Sequence, residues 1–436
     1  MRKFTLVLLM FGLCTVTSAL PLSLSESYHA ALEHNSQRKL QFERATEANA
    51  RIDEVSGQRL PALSALGSAT HNGDVQKVKL GSTSIAFQPD NSYRAMLQVS
   101  QVIYDANRVG NTIEVQRQNL LRTEHDRVKL EHDLAYAVSA AYWSWALISR
   151  VEKVAYEAML SSRDHANIAQ QRFIAGQLSR FDVLRANVQA DQFATNLESA
   201  RSNRFRSEQN LCYWTGLAID SNATPTDSLR YRQFSVDFDS IMSVAKLNRP
   251  EFAQFERQKK IAELGIRLSK VGWYPILTGS ANVAWANGSD PINPNKLLRT
   301  WAVGAQLSYP LFDGWQTRAK IAESRSASKQ TDWLIHDFER IVANDIRNEV
   351  ISLVDAEHRL RLQERYVTQA EEAHRLAREQ FVNGQLSTRD VSDSELALSN
   401  ARMSREQALY DWTMAYVGLR KATGELQSDV LQGNSK

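Results

Sequence analysis

Cysteine is nearly missing from this sequence: of 436 residues, only Cys14 and Cys212 are cysteine. Long apolar runs are missing too. The most apolar stretch, Phe4 to Leu13, is far shorter than the roughly 20 residues a spanning helix needs, so any insertion into a membrane must use strands. That stretch follows Arg2 and Lys3 and precedes the small residues Thr17, Ser18 and Ala19, the pattern of a secretory signal peptide over residues 1–19 with cleavage near Ala19. Cys14 would leave with the signal, and the single remaining thiol excludes an intramolecular disulfide. Phe11, Gly12 and Leu13 make a poor lipoprotein box before Cys14, so an unlipidated N-terminus is expected. Charge of one sign is scarce: the net charge of +3 falls to +1 once Arg2 and Lys3 are removed, which leaves no basic field for nucleic acid. Signature motifs of catalysis are absent as well. The sequence has no His-Glu-x-x-His, no Cys/His cluster, no phosphate-binding glycine loop and no Gly-x-Ser-x-Gly elbow, so neither an enzyme nor a cofactor or metal is expected.

What the sequence does contain is a repeat of itself. Gln41-Phe42-Glu43-Arg44 returns as Gln254-Phe255-Glu256-Arg257, an offset of 213. Phe173, Gly176, Gln177, Leu178, Ser179, Asp182 and Val183 return as Phe381, Gly384, Gln385, Leu386, Ser387, Asp390 and Val391, an offset of 208. Tyr104-Asp105 matches Phe312-Asp313, and Thr215-Gly216 matches Thr423-Gly424, at that second offset. Ordered matches of this kind mark an internal duplication. The expected organisation is a signal peptide (1–19), a first repeat (20–217), a linker (218–239), a second repeat (240–425) and a polar C-terminal tail (426–436).

Each repeat reads as helix, strand, loop, strand, very long helix, turn, helix. Residues 36–60 have helical composition until Pro61, and Pro275 stands at the matching place; proline lacks a backbone N–H and is tolerated at the first residue of a strand. Strand tracts follow near 62–73, 91–104, 276–288 and 298–312. Tyr93, Ala95, Leu97, Val99 and Ile103 fall on one face, with Arg94, Gln98 and Ser100 on the other. Trp301, Val303, Ala305, Leu307 and Tyr309 likewise oppose Thr300, Gly304, Gln306 and Ser308. This period of two describes a strand with one apolar and one polar face, which a soluble sandwich also produces. Trp301 and Tyr309 are separated by about 26 Å at roughly 3.3 Å per residue, close to the roughly 25 Å apolar band between aromatic girdles in outer-membrane barrels.

After Asp105 and Asp313 the period becomes helical, with no proline before the turns at Gly176 and Gly384. Each segment would be about 100 Å long at 1.5 Å per residue, beyond any ordinary globular core. Ala137, Ala141, Trp145 and Ile148 form an apolar stripe in the first and Ile346, Val350, Leu353 and Val354 in the second, the pattern of bundle or coiled-coil packing. Shorter helices, about 182–214 and 390–422, follow the turns. Asp105 and Asp313 stand where strand becomes helix and suit N-capping. Ser179 with Asp182, and Ser387 with Asp390, read as capping boxes with Asp in place of Glu. Asp393 lies one turn further in, where a cap needs no acid.

Four strand tracts cannot close a barrel, because spanning barrels need eight or more strands and an open edge leaves backbone groups unpaired in lipid. Oligomerisation follows if they insert; two chains would supply eight strands and three would supply twelve. The duplicated layout, the junctions Val102-Ile103-Tyr104-Asp105 and Tyr309-Pro310-Leu311-Phe312-Asp313-Gly314, and the paired Phe-x-x-Gly-Gln-Leu-Ser turns resemble the TolC family of outer-membrane factors across nearly the whole mature chain. The resemblance implies a mixed, mainly α fold. It further implies a homotrimer in outer-membrane lipid, with a shared 12-stranded β-barrel continuing into a periplasmic helical tunnel. The implied partners are a periplasmic adaptor (a membrane fusion protein) and an inner-membrane transporter, ABC or proton-driven, which supplies the energy. It also implies that Asp390 and Asp393 match an acidic pore constriction and that Asp182 and Phe381 lie near the links holding it shut. The turns carrying Gly176, Leu178, Ser179, Gly384, Leu386 and Ser387 would then meet the adaptor. The expected function is export through the outer membrane, leaning to type I protein secretion, with multidrug or small-molecule efflux as the alternative. A periplasmic coiled-coil adaptor or scaffold is the alternative of another class, disfavoured because such a protein should carry one hairpin rather than duplicate hairpin and strands together.

Overall fold

The computed structural model describes residues 21–73, 75, 77–80, 83–86, 89–218, 223–231, 238–290 and 293–431. The signal-peptide assignment therefore lies outside the described residues, as do the last five residues of the expected tail. In chain order the elements are α1 (Leu24–His34), α2 (Ser36–Gly57), β1 (Ala62–His71), β2 (Lys77–Leu80), β3 (Thr83–Ala86), β4 (Asn91–Tyr104), α3 (Arg108–Ile174), α4 (Arg180–Thr215), α5 (Phe238–Asn248), α6 (Pro250–Lys270), β5 (Ile276–Ala286), β6 (Leu298–Ser308), α7 (Gln316–Val382), α8 (Thr388–Ala422) and α9 (Leu426–Leu431). The order repeats itself: α2-β1-β4-α3-α4 corresponds to α6-β5-β6-α7-α8, and α3 and α7 are both 67 residues long.

The chain divides into two compact units, one made of residues 40–127 and 250–339, the other of the remaining segments. The first unit holds a four-stranded antiparallel sheet of order β1-β4-β5-β6. Its register places Leu63 opposite Val99, Val99 opposite Ala281 and Ala281 opposite Val303. Leu63, Ala65, Tyr93, Leu97, Val99, Val283, Trp285, Trp301, Val303 and Leu307 therefore share a face, because alternate residues of a strand point the same way. The opposite face carries Ser64, Ser68, Gln98, Ser100, Asn282, Ser280, Thr300 and Gln306. On the apolar face Trp301 is 75% exposed, and Leu63, Val303 and Leu307 are also exposed. The register shifts between Val102 and Tyr104, a bulge that brings Tyr104 opposite Leu277. The four strands match the tracts read from the sequence, whereas the hairpin of β2 and β3 was not foreseen. Helices of the same unit pack on one another. The Arg127 guanidinium lies over the Phe42 ring of α2, Gln254 of α6 donates to Asp126 of α3, and Phe252 and Phe255 of α6 meet Phe338 of α7.

The second unit is helical. Its main core joins Leu24 and Tyr28 of α1, Tyr142, Trp143 and Trp145 of α3, Leu211 of α4, Leu409 of α8 and Leu426 and Val430 of α9. The start of the described chain is held by the linker between the repeats: Leu22 donates to the Thr224 carbonyl, Thr226 donates to that of Leu22, and Asp227 accepts from the Leu24 N–H. Residues 426–431, expected to begin a polar tail, instead form α9, because Leu426 and Val430 recur at helical spacing and Arg420 binds Asp429 and Glu425. On α7 the buried stripe is Val342, Ile346, Leu353, Ala356 and Leu360. Val354, expected on it, is exposed, being one residue and so about 100° round the helix from Leu353.

Candidate functional site

Two places carry the residues singled out in the sequence: the strand-to-helix junctions and the ends of the helical hairpins. At each junction two consecutive residues adopt left-handed backbone, Ala106 and Asn107 before α3, Gly314 and Trp315 before α7. The turn swings the preceding aspartate over the free N–H groups of the new helix. Asp105 Oδ2 accepts from the Val109 N–H at 2.8 Å, and Asp313 Oδ2 from the Thr317 N–H at 2.8 Å. The Thr317 hydroxyl, and then its backbone N–H, hold the Asp313 carboxyl below the usual carboxylate range.

The hairpins α3–α4 and α7–α8 end in turns of the same build. Gly176 and Gly384 have φ of +74° and +78°, and the Gln177 and Gln385 N–H groups each close the helix end by donating back to Arg172 and Gln380 at 2.8 Å. Glycine is favoured there because a side chain strains a left-handed backbone. Ser179 and Ser387 then start the returning helices as reciprocal capping boxes. Ser179 Oγ donates to Asp182 at 2.6 Å and accepts from the Asp182 N–H, and Ser387 Oγ does the same with Asp390. The Ser387 hydroxyl, followed by its N–H, lowers the Asp390 pKa. Asp393 takes no part in the cap; it is exposed and pairs at 3.4 Å with Arg389 one turn back. Leu178 and Leu386 turn inward against an alanine-lined cluster of Ala166, Ala169, Ala186, Ala190, Ala377 and Val391.

The duplicated turns differ in one respect that the sequence comparison did not separate. Phe381 is 1% exposed, whereas its counterpart Phe173 is 38% exposed. Phe381 is covered from the other hairpin: the Arg172 guanidinium lies 4.9 Å from its ring centroid and donates to its carbonyl, and the His165 ring meets it edge-on at 4.8 Å. Arg172 and His165 have Gln380 and Ala373 at the matching places of the second repeat. Further charge pairs cross between the hairpins, Asp164 with Arg378 at 2.6 Å, Glu157 with Arg402 at 3.3 Å and Arg150 with Glu406 at 3.0 Å. The sequence reading placed Arg172 at the start of the first turn without its contact to Phe381 and did not name His165; the signal in the sequence was that the repeats break their likeness at both positions.

Among the described residues no group of three or more His, Cys, Asp or Glu is placed to hold a metal, and no helix is long and apolar enough to cross a membrane. The sequence matches the family described as "Outer membrane efflux protein" over residues 28–217 and 241–425. It is 23% identical to the alkaline protease secretion protein AprF of Pseudomonas aeruginosa over 95% of this chain and 87% of that one. It is 20% identical to the cation efflux system protein CusC of Escherichia coli over 90% and 84%. The fold is similar to a crystal structure of CusC, with a TM-score of 0.77 at 16% identity over 92% of each chain. It is also similar to the open-state MtrE outer membrane channel of Neisseria gonorrhoeae, with a TM-score of 0.74 at 17% identity over 92% of this chain and 89% of that one.

Proposed function

The chain belongs to the outer membrane efflux protein family, and from that premise we propose that three copies assemble into one channel that carries cargo across the periplasm and the outer membrane. It is a channel protein of the outer membrane and not an enzyme. The observation that supports the trimer is the four-stranded antiparallel sheet, with its exposed apolar face and with the outer edges of β1 and β6 unpaired among the described residues. In lipid such edges must be paired by neighbouring copies, and three copies supply twelve strands. The apolar face then meets lipid, the polar face lines the lumen, and the helical hairpins build the periplasmic tunnel. A periplasmic adaptor meets the hairpin turns, and an inner-membrane transporter does the work.

Asp390 and Asp393 are assigned to the constriction at the tunnel's inner end, with Asp182 and Phe381 beside the contacts that keep it closed. Threefold symmetry brings copies of an inward carboxylate together and makes a narrow place selective for cations. Protein secretion by the type I route is the preferred cargo class, supported by likeness to AprF over nearly the full length of both chains. Efflux of small solutes is the second reading, favoured by the likeness to CusC. The test is purification from outer membranes followed by reconstitution in planar bilayers. A heat-modifiable trimer with cation-preferring conductance is expected, and an inserted monomer or a protein recovered only from the soluble periplasm would overturn the channel.

A further inference from the structure

With histidine counted as neutral, the four strands of the antiparallel sheet carry only two charged side chains, Arg94 of β4 and Arg299 of β6. Both are cations, and both lie near the end of the sheet where the strands are joined by loops rather than helices. They stand on opposite faces. Arg299 is opposite Trp285 and shares the apolar face with Trp301, whereas Arg94 stands between Ser68 and Ala286 on the polar face. Leu298 completes the Arg94 row, and no strand of the sheet supplies an acid. The Arg94 side chain is exposed, and among the described residues nothing forms an ion pair or hydrogen bond with its guanidinium. Of the described acids in the adjoining loops, Asp290 is paired with Lys296 at 3.6 Å. Asp90 lies four positions before Arg94, about 13 Å away along an extended chain.

One arginine in water holds an anion weakly, and symmetry changes that. We infer that Arg94 of three copies forms a basic ring inside the barrel, near its outer mouth, and that the ring binds one compact multivalent anion on the threefold axis. The inference rests on the trimeric channel proposed above. Twelve strands spaced about 4.8 Å apart and tilted by about 40° close a barrel of roughly 12 Å backbone radius. Long side chains on its inner face then bring three guanidinium groups within about 10 Å of one another, a range that salt at roughly 0.1 M screens only in part. No carboxylate of the sheet competes for them. Three planar forks of N–H donors therefore converge on an anion with several acceptor atoms, of the class of clustered phosphate, sulfonate or cyanide groups. A monovalent anion gains little from charges held apart in water, whereas each added charge on the anion multiplies the attraction of all three. Arg299 cannot take part, because its face is the one assigned to lipid. The ring is opposite in sign to Asp390 and Asp393, so cation preference at the constriction and anion retention at the mouth are separate properties of the channel.

The test is calorimetric titration of the purified protein in nonionic detergent with hexacyanoferrate(II), a compact tetravalent anion, with the oligomeric state read on the same sample by cross-linking. One anion per three chains is expected, with an affinity that falls as salt is raised. Arg94→Gln should weaken binding on the order of a hundredfold, because three charges are lost at once. Arg94→Lys, which keeps the charge but not the fork, should stay within about tenfold of the parent. Arg299→Gln should bind as the parent does. Trimers that bind no anion, that bind one per chain, that keep their affinity in Arg94→Gln, or that lose it equally in Arg299→Gln would overturn the inference and leave the channel standing. Protein that forms no trimer would overturn both. Should Arg94→Gln fail to assemble, the stoichiometry of the parent decides, and any value other than one anion per three chains is fatal to the ring.

Discussion

At the scale of single residues, the two phenylalanines at the hairpin ends give the sharpest contrast. Phe381→Ala removes a ring that is fully enclosed, and a loss of about 3–5 kcal/mol is expected, read as a shift in denaturant midpoint followed by the helical signal. Phe173→Ala, at the matching exposed position, should cost far less; equal losses would contradict the asymmetry. The acidic pair separates by a different measurement. Asp393 makes no cap, so Asp393→Ala should lower cation preference and multivalent-cation block while leaving stability unchanged. Asp390 is bound by Ser387, so Asp390→Ala should also loosen the turn, as Ser387→Ala should by roughly 1 kcal/mol. Unchanged ion preference in the double aspartate variant of an assembled channel would remove both from the conduction path. The capping aspartates were legible in the sequence because a cap is a local pattern of fixed spacing. The environment of Phe381 was not, because the residues that bury it arrive from a hairpin some 200 positions away.

At the scale of elements, alternation located β4 and β6, the prolines that precede β1 and β5 located those two, and an unbroken helical period located both 67-residue helices. The boundaries were legible where chemistry is punctual: Pro61, Asp105, Gly176, Pro275, Asp313 and Gly384. The hairpin of β2 and β3 was missed because four-residue strands are too short for a period to register, and α9 because six residues hold fewer than two helical turns. The alternation of β6 supports a direct test. Val303→Arg puts a charge on the face assigned to lipid and should cost about 2–4 kcal/mol near the membrane midplane, seen as a loss of assembled trimer. Gln306→Arg, on the opposite face, should assemble normally and alter conductance. Cysteines at Val303 and Leu307 should resist water-soluble thiol reagents in intact outer membranes, and ready labelling of both would count against insertion.

At the scale of the whole molecule, the edges of β1 and β6, unpaired among the described residues, make the proposed inserted state a property of several chains at once. Cysteines on those two edge strands should cross-link copies into a closed trimer, and a dimer as the largest closed species would refute the twelve-strand assembly. The sheet also imposes an order in time. β1 meets β4 across a short connection, but Val99 of β4 reaches its partner Ala281 of β5 only after the whole of α3, α4, α5 and α6 has been threaded between them. Pairings so distant along a chain form slowly, since loop closure must be met before the contact returns anything. The hairpin α3–α4 can therefore fold while the chain is still emerging, whereas the sheet must wait for the second repeat. A chain truncated before Ile276 should yield a protease-resistant helical hairpin and no membrane-embedded strands, so completion of the sheet waits on the 171 residues that separate Tyr104 from Ile276.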